Sequence, residues 1–64
     1  MNTLQNKMKD GGYSLRALAR LIAVSPSLLS RMINGYRTFR FEHKKNIAMV
    51  LNCTTEDIQW PDHS

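Results

Sequence analysis

The residues of this chain that can bind another molecule are mainly cationic, and they are unevenly distributed. The 64 residues include nine lysines and arginines, five aspartates and glutamates and two histidines, with a net charge of +4. Residues 1–45 contain all nine cations and only two of the acids, whereas residues 46–64 contain the other three acids. A basic body of this kind is typical of proteins that bind a polyanion. Small basic domains are also common for other reasons, so charge alone leaves the partner open.

The same inventory gives little support to catalysis or metal binding. His43 and His63 lie far apart, Cys53 is the only cysteine, and no zinc-ligand spacing or glycine-rich phosphate loop occurs. We expect Cys53 to be a small buried hydrophobic residue rather than a reactive thiol. A chain this short buries only about 60% of its unfolded surface, which leaves little core around a substrate pocket. We therefore expect no enzyme activity, metal, cofactor or small-molecule ligand.

The expected location is the cytoplasm. A lone cysteine cannot form an internal disulfide, which fits a reducing compartment. No apolar run, such as that from Leu21 to Val24, approaches the roughly 20 residues that cross a bilayer. The first residues also lack the order of a secretory signal, so no membrane contact is expected.

Helical signals recur along the whole chain. Leu15, Leu18, Ala19 and Ile22 have the spacing of one helix face, and Ser25-Pro26 is a strong helix start. The predicted helices cover residues 3–10, 15–22, 26–33 and 41–51, with a closing turn at 56–59 after a cap at Thr54 or Thr55. No segment alternates as a strand does. We therefore expect an all-α fold of five short helices in one domain, residues 1–64, with 61–64 frayed.

Several side chains receive a structural interpretation at this stage. Phe39 and Phe41 are expected in the core rather than stacked on bases, and Ile33 is expected to pack on Met8. One of the two lysines at positions 44 and 45 should lay its stem over the edge of the core.

Residues 14–34 meet the steric requirements of a helix–turn–helix unit. Its helices cross closely, so a small residue is needed within the first, and Ala19 lies there. The second helix should begin with small polar residues if its first turn is to enter a groove, and Ser25-Pro26-Ser27 fits. A plain helical hairpin in a small bundle is the alternative that this pattern leaves open.

The stretch from Ser14 to Gly35 resembles the lambda-repressor-like, or Cro-type, helix–turn–helix family of phage and bacterial regulators. The resemblance rests on Val24-Ser25-Pro26-Ser27, on Leu29-Ser30-Arg31 and on Asn34-Gly35. It extends through Ile47–Cys53 and Ile58–Trp60, which look like the family's last helices, and so covers about residues 3–60. One departure is Ala23, at a turn position where the family commonly has glycine. If the φ of Ala23 is positive, the cost is about 1 kcal/mol.

The resemblance implies that the third helix reads DNA from the major groove. Arg31 is the sharpest candidate, because a guanidinium can bond guanine O6 and N7 together, although a phosphate contact is the alternative. Leu28, taken as exposed, would contact a thymine methyl, and Pro26 can donate no hydrogen bond. The implied base-reading residues are Ser25, Pro26, Ser27, Leu28, Ser30 and Arg31. With so few specifying groups, DNA shape is expected to share the readout.

A second set of residues is expected on the phosphates. The family lays the loop after the third helix along the DNA backbone, and arginine suits phosphate through paired hydrogen bonds. The start of the second helix can also hold a phosphate through its free N–H groups. The candidates are Lys7, Ser14, Arg16, Asn34, Tyr36, Arg37, Thr38 and Arg40. For each cation, simple solvation is the alternative.

The functional expectation is a small Cro-type phage or prophage repressor that binds a pseudo-palindromic operator in double-stranded DNA. The resemblance implies a homodimer, because the C-terminal end of the chain forms the two-fold contact in Cro-like relatives. The available patch is small, so the dimer is expected to be weak away from DNA. Its expected interface residues are Thr54, Thr55, Ile58 and Trp60, although Trp60 can also close its own core. The alternatives are an antitoxin or restriction-modification controller of the same fold, and a protein-interaction domain that docks an acidic partner.

Overall fold

The computed structural model describes residues 2–61. Its elements follow the order β1 (Asn2–Thr3), α1 (Leu4–Gly11), α2 (Leu15–Leu21), α3 (Pro26–Ile33), α4 (Phe41–Val50), a 3₁₀ turn (Thr55–Asp57) and β2 (Ile58–Gln59). Pro61 is half-buried, and the rest of the segment expected to fray, residues 62–64, lies outside the described residues.

Local sequence signals account for where the first three helices begin. Thr3, Ser14 and Ser25 each accept a hydrogen bond from the backbone N–H three residues later, at 3.1–3.2 Å. Pro26 occupies the first turn of α3, where the missing N–H has no helical partner to lose. Gly12, with φ 75°, ends α1 in the left-handed conformation that glycine adopts at little cost.

The core lies where α2 and α3 cross and is closed by α1, α4 and β2. Ala19 is fully buried at the crossing, as the helix–turn–helix pattern predicts. Tyr13, in the link between α1 and α2, donates its hydroxyl to the Val50 carbonyl at 3.4 Å and so ties this link to α4. The buried hydrophobic residues are Leu4, Met8, Leu18, Ala19, Ile22, Leu29, Met32, Phe39, Ile47, Ala48 and Ile58.

The prediction of five helices and no strand is wrong in its details. Residues 2–61 contain four α-helices and one 3₁₀ turn, and β1 pairs with β2 in parallel, with Asn2 opposite Ile58 and Thr3 opposite Gln59. Two-residue strands are too short to show alternation, and their pairing joins the two ends of the chain. The closing segment becomes extended at Ile58, which places that side chain in the core at 3% exposure.

Phe41 was expected in the core but is 73% exposed, whereas Phe39 is 3% exposed. Phe39 enters the core from the loop before α4, and Phe41 begins α4 beyond the part of that helix that the other elements cover. Lys44 is half-buried with its Nζ 5.8 Å from the centre of the Trp60 ring, so one of the two lysines does lie over the core edge.

Cys53 and Ile33 are both half-buried and pack against the core. Cys53 is therefore less enclosed than the sequence suggested, and it is a free thiol.

Candidate nucleic-acid interface

A turn of four residues connects α2 to α3 and sets their crossing. Ala23 has φ 61°, a left-handed value at which an alanine is strained. This is the positive φ considered in the sequence analysis, where the family commonly has glycine. The Val24 N–H bonds back to the Ala19 carbonyl at 3.0 Å, and the Val24 side chain packs against the core. The turn therefore reverses the chain tightly enough to leave the first turn of α3 at the surface.

The first half of α3 presents small polar groups to solvent. Ser25, Pro26, Ser27 and Arg31 are exposed, and Ser30 is half-buried. The Ser25 Oγ accepts the Leu28 N–H at 3.1 Å, so this hydroxyl caps the helix while its own proton remains free to be donated.

The placement of Leu28 corrects the expectation that it is the exposed apolar residue of this helix. Leu28 is half-buried and packs against the core, because it lies between the exposed face of α3 and the face that contacts α2. Only part of its side chain can meet a thymine methyl.

Behind α3, the chain forms a shallow depression that brings predicted base-reading and phosphate-binding residues together. Gly35 has φ 86°, which turns the chain back after the helix. Asn34 donates its Nδ2 to the Ser30 Oγ at 3.4 Å, which fixes the amide over the last turn of α3. The depression measures about 480 Å³ and is lined by Ser30, Arg31, Asn34, Tyr36 and Arg37.

A neighbouring depression of about 520 Å³ continues toward α4. It is lined by Leu28, Met32, Tyr36, Arg37, Thr38, Arg40 and His43. Arg40 precedes α4 and makes no side-chain capping bond, unlike the cap residues of α1, α2 and α3. The first N–H groups of α4 are thus left without a capping side chain beside two arginines, an arrangement that suits an anion.

A third depression, of about 400 Å³, lies between α2 and the start of α3. It is lined by Arg16, Arg20, Val24 and Pro26. Arg20 was not among the residues assigned to phosphate from the sequence. The sequence spacing could have indicated Arg20, because it lies four positions after Arg16, on the side of α2 away from the apolar face.

His43 was also missed by the sequence analysis. It is half-buried at the edge of the second depression, and its buried Nδ1 has no hydrogen-bond partner within residues 2–61. The sequence could have indicated His43, because it lies three residues after Arg40, in the first turn of α4.

Two predicted phosphate contacts lie outside these depressions. Lys7 is half-buried on α1, and its charge helps to lower the pKa of Asp57, so it lies on the side of residues 54–60, which we call the C-terminal segment. Ser14 is exposed at the start of α2, where its Oγ accepts the Ala17 N–H at 3.1 Å. The Ser14 hydroxyl proton remains available to a phosphate.

The C-terminal segment is folded onto its own protomer. The Thr54 backbone N–H and hydroxyl both donate to the Asp57 carboxylate at 3.0 Å, and these bonds hold the pKa of Asp57 below its usual value. Trp60 is half-buried and donates its Nε1–H to the Thr55 carbonyl at 3.0 Å. Of the four expected interface residues, Ile58 lies in the core, whereas Thr54, Thr55 and Trp60 keep accessible surface.

Each of the three depressions is lined in part by residues of α3, and we call their combined lining the basic face. All five arginines of the chain line them, namely Arg16, Arg20, Arg31, Arg37 and Arg40. No acidic residue of the described part of the chain lines any of the three. A helix–turn–helix whose second helix is exposed among arginines defines a nucleic-acid-binding protein of the helix–turn–helix class.

Comparison with known families identifies this class more closely. The family model of the Cro/C1-type HTH DNA-binding domain matches residues 3–59. The chain belongs to this family of DNA-binding domains. Comparisons with curated proteins and with solved structures gave no match.

Between residues 2 and 61, no helix is long and apolar enough to cross a membrane. Over the same range, no three His, Cys, Asp or Glu side chains come together in a way that could hold a metal ion.

Proposed function

We propose that this protein is a sequence-specific transcriptional regulator that inserts α3 into the major groove of double-stranded DNA. The observation that carries the proposal is the position of the exposed first half of α3, between arginines of α2 on one side and arginines of the following loop on the other. A helix flanked in this way can approach base edges while both ends of the contact are held by phosphates.

Base reading is assigned to the exposed polar residues of α3. Arg31 carries most of it, because its guanidinium can bond guanine O6 and N7 together. Ser25, Ser27 and Ser30 offer weaker hydroxyl contacts, and Pro26 and Leu28 add apolar contact. The small number of specifying groups leaves part of the readout to DNA shape.

Phosphate binding is assigned to the two ends of the basic face. Arg16 and Arg20, with the Ser14 hydroxyl, would hold one strand, and Arg37 and Arg40 with the start of α4 would hold the other. Asn34, Tyr36 and Thr38 lie among these arginines and can donate further hydrogen bonds, with Tyr36 80% exposed. Lys7 is the weakest of the candidates, since it lies beside Asp57.

The biological form we propose is an intracellular Cro-type repressor of phage or prophage origin. It would bind as a homodimer to a pseudo-palindromic operator, weakly associated away from DNA, and exclude polymerase by occupancy. The C-terminal segment supports this arrangement, because Thr54, Thr55 and Trp60 leave accessible surface at the acidic end of the chain, where phosphates are not favoured.

Selection of bound sites from random duplexes, at a stated salt concentration, tests this function. The expected result is enrichment of an inverted repeat whose half-sites lie about one helical turn apart. The Arg31→Ala variant, selected in parallel, should lose preference at one position of each half-site. Binding without enrichment of any sequence would overturn specific regulation, and binding to acidic polypeptides but not to DNA would favour a protein-interaction domain.

A further inference from the structure

The loop between α3 and α4 carries two arginines of the basic face, yet its own backbone does little to hold it. Among the described residues, the backbone groups of Arg37, Thr38 and Phe39 make no hydrogen bond, whereas Tyr36 and Arg40 at the two ends each make one. The order of a segment with so few backbone hydrogen bonds depends strongly on its buried apolar contacts.

The anchor of this loop is Phe39. It is 3% exposed, while Arg37, Thr38 and Arg40 around it are all exposed. The ring of Phe39 therefore fixes the middle of the loop to the protein, and its environment decides where the two neighbouring guanidinium groups can reach.

Trp60 covers Phe39 from the C-terminal segment. The two rings lie 5.1 Å apart between centroids, with 52° between their planes, which is a favourable aromatic geometry. Trp60 is itself held at other points, by its hydrogen bond to the Thr55 carbonyl at 3.0 Å and by the Lys44 Nζ at 5.8 Å from its ring. Because Trp60 is fixed in this way, its ring can hold Phe39, and with it the loop, in one position relative to the C-terminal segment.

We propose that Trp60 is a positioning residue for phosphate binding: through Phe39, it holds the loop so that Arg37 and Arg40 reach the DNA backbone together. The proposal rests on the proposed function and adds to it a residue that would touch neither bases nor phosphates in this role. It is compatible with a second subunit packing on Trp60, because the ring is only half-buried.

The test uses a short mixed-sequence duplex that accommodates one protomer, with affinity measured by fluorescence anisotropy at several salt concentrations. Trp60→Leu removes the aromatic contact, so affinity at low salt should fall about tenfold and the salt slope should decrease by about one unit, the value for one lost phosphate contact. Trp60→Phe retains a ring against Phe39 and should keep the wild-type slope. The same change in slope for both variants would overturn the aromatic contact as the cause.

Val50→Ala is the matched control for stability. Val50 is half-buried on α4 and packs against the same core, so its truncation should also lower the melting temperature. A purely structural role of Trp60 predicts that Val50→Ala and Trp60→Leu, compared well below their melting temperatures, keep the wild-type slope. Unchanged affinity and slope in Trp60→Leu would overturn the proposal.

A measurement on the wild-type protein remains decisive if Trp60→Leu does not fold. Trp60 is the only tryptophan, so intrinsic fluorescence reports on this ring alone. Addition of the short duplex should change the emission of Trp60, because the loop that Trp60 supports then binds phosphate. The emission and the anisotropy should follow the same saturation curve. Binding without any change in emission would contradict the coupling. Absence of wild-type binding to any duplex at low salt would instead overturn the proposed function itself.

Discussion

Ala23 holds a left-handed backbone conformation that favours glycine, and it does so at the turn that orients α3. Its φ of 61° costs about 1 kcal/mol relative to glycine, which the packing on both sides of the turn offsets. Ala23→Gly should therefore raise the free energy of unfolding by about 1 kcal/mol, measured by urea denaturation. The matched change Ala17→Gly, inside α2, should lower it by a similar amount. A loss of stability in both variants would contradict the assigned strain.

In the proposed function, Arg31 is the residue on which base discrimination most depends. Arg31→Ala should weaken binding to the best site by about 1–3 kcal/mol and relax preference at one base position in each half-site. Competition between the selected site and single-base variants of it measures both effects. Arg37→Ala is the control, since a phosphate contact should weaken binding to all sequences alike. An equal loss on all sequences for Arg31→Ala would show that it contacts only phosphate.

At the scale of elements, the 3₁₀ turn has a built-in dependence on pH. The Thr54 backbone N–H, with its hydroxyl, stabilises the Asp57 carboxylate and lowers its pKa in the folded chain. A depressed pKa contributes stability that is present above the unfolded value, about 4. This contribution is lost as the pH falls through the lower folded value.

Thermal unfolding between pH 7 and pH 2 checks this dependence. The melting temperature of Asp57→Asn should lie below that of the wild type at pH 7, and the difference should shrink as the pH falls through the Asp57 pKa. Glu56→Gln, an exposed neighbour that makes no hydrogen bond to Thr54, should follow the wild-type curve. A constant difference between Asp57→Asn and the wild type at all pH values would contradict the assignment.

The sequence predicted those elements whose signals are local. Ser25-Pro26 begins a helix as expected, because a cap depends only on residues within one turn. The pairing of β1 with β2 could not be predicted, because it joins residues far apart in the chain. Strands of two residues also produce no alternating pattern of polar and apolar residues. Phe41 was misplaced because Phe39, two residues earlier, took the aromatic position in the core.

The same limit applies to the candidate site. Arg16, Ser30 and Arg31 were predicted from residue type and spacing, and they line the basic face together with Arg20, which the sequence analysis had not assigned. The role proposed for Trp60 needs the contact between its ring and Phe39, which spans the chain from the loop to the C-terminal segment. Spacing along the sequence carries no information about such a contact.

At the scale of the whole molecule, positive and negative charge lie at different places. The basic face holds all five arginines, whereas Glu56 and Asp57 lie in the 3₁₀ turn near Lys7. A polyanion is therefore favoured on the first surface and disfavoured on the second. This division is the reason why we propose the C-terminal segment as the surface for a second copy of the chain.

Thr55→Arg tests that assignment. In a two-fold contact the new charge would face its own copy or lie close to it, so cooperativity on the inverted repeat should fall while affinity for an isolated half-site is retained. Band-shift titrations on both duplexes measure the two quantities. Gln5→Arg, which adds the same charge on the exposed side of α1, controls for net charge. Equal cooperativity in wild type and Thr55→Arg would place the interface elsewhere.

The central claim is that α3 and the loop after it form the surface that meets DNA. Backbone amide chemical shifts, followed by NMR while the selected half-site duplex is added, test this most directly. The account predicts the largest shifts at residues 25–31 and 34–40, smaller ones at residues 14–20, and little change at residues 46–50 and 54–59. The largest shifts at residues 46–50 and 54–59, with α3 unaffected, would contradict it.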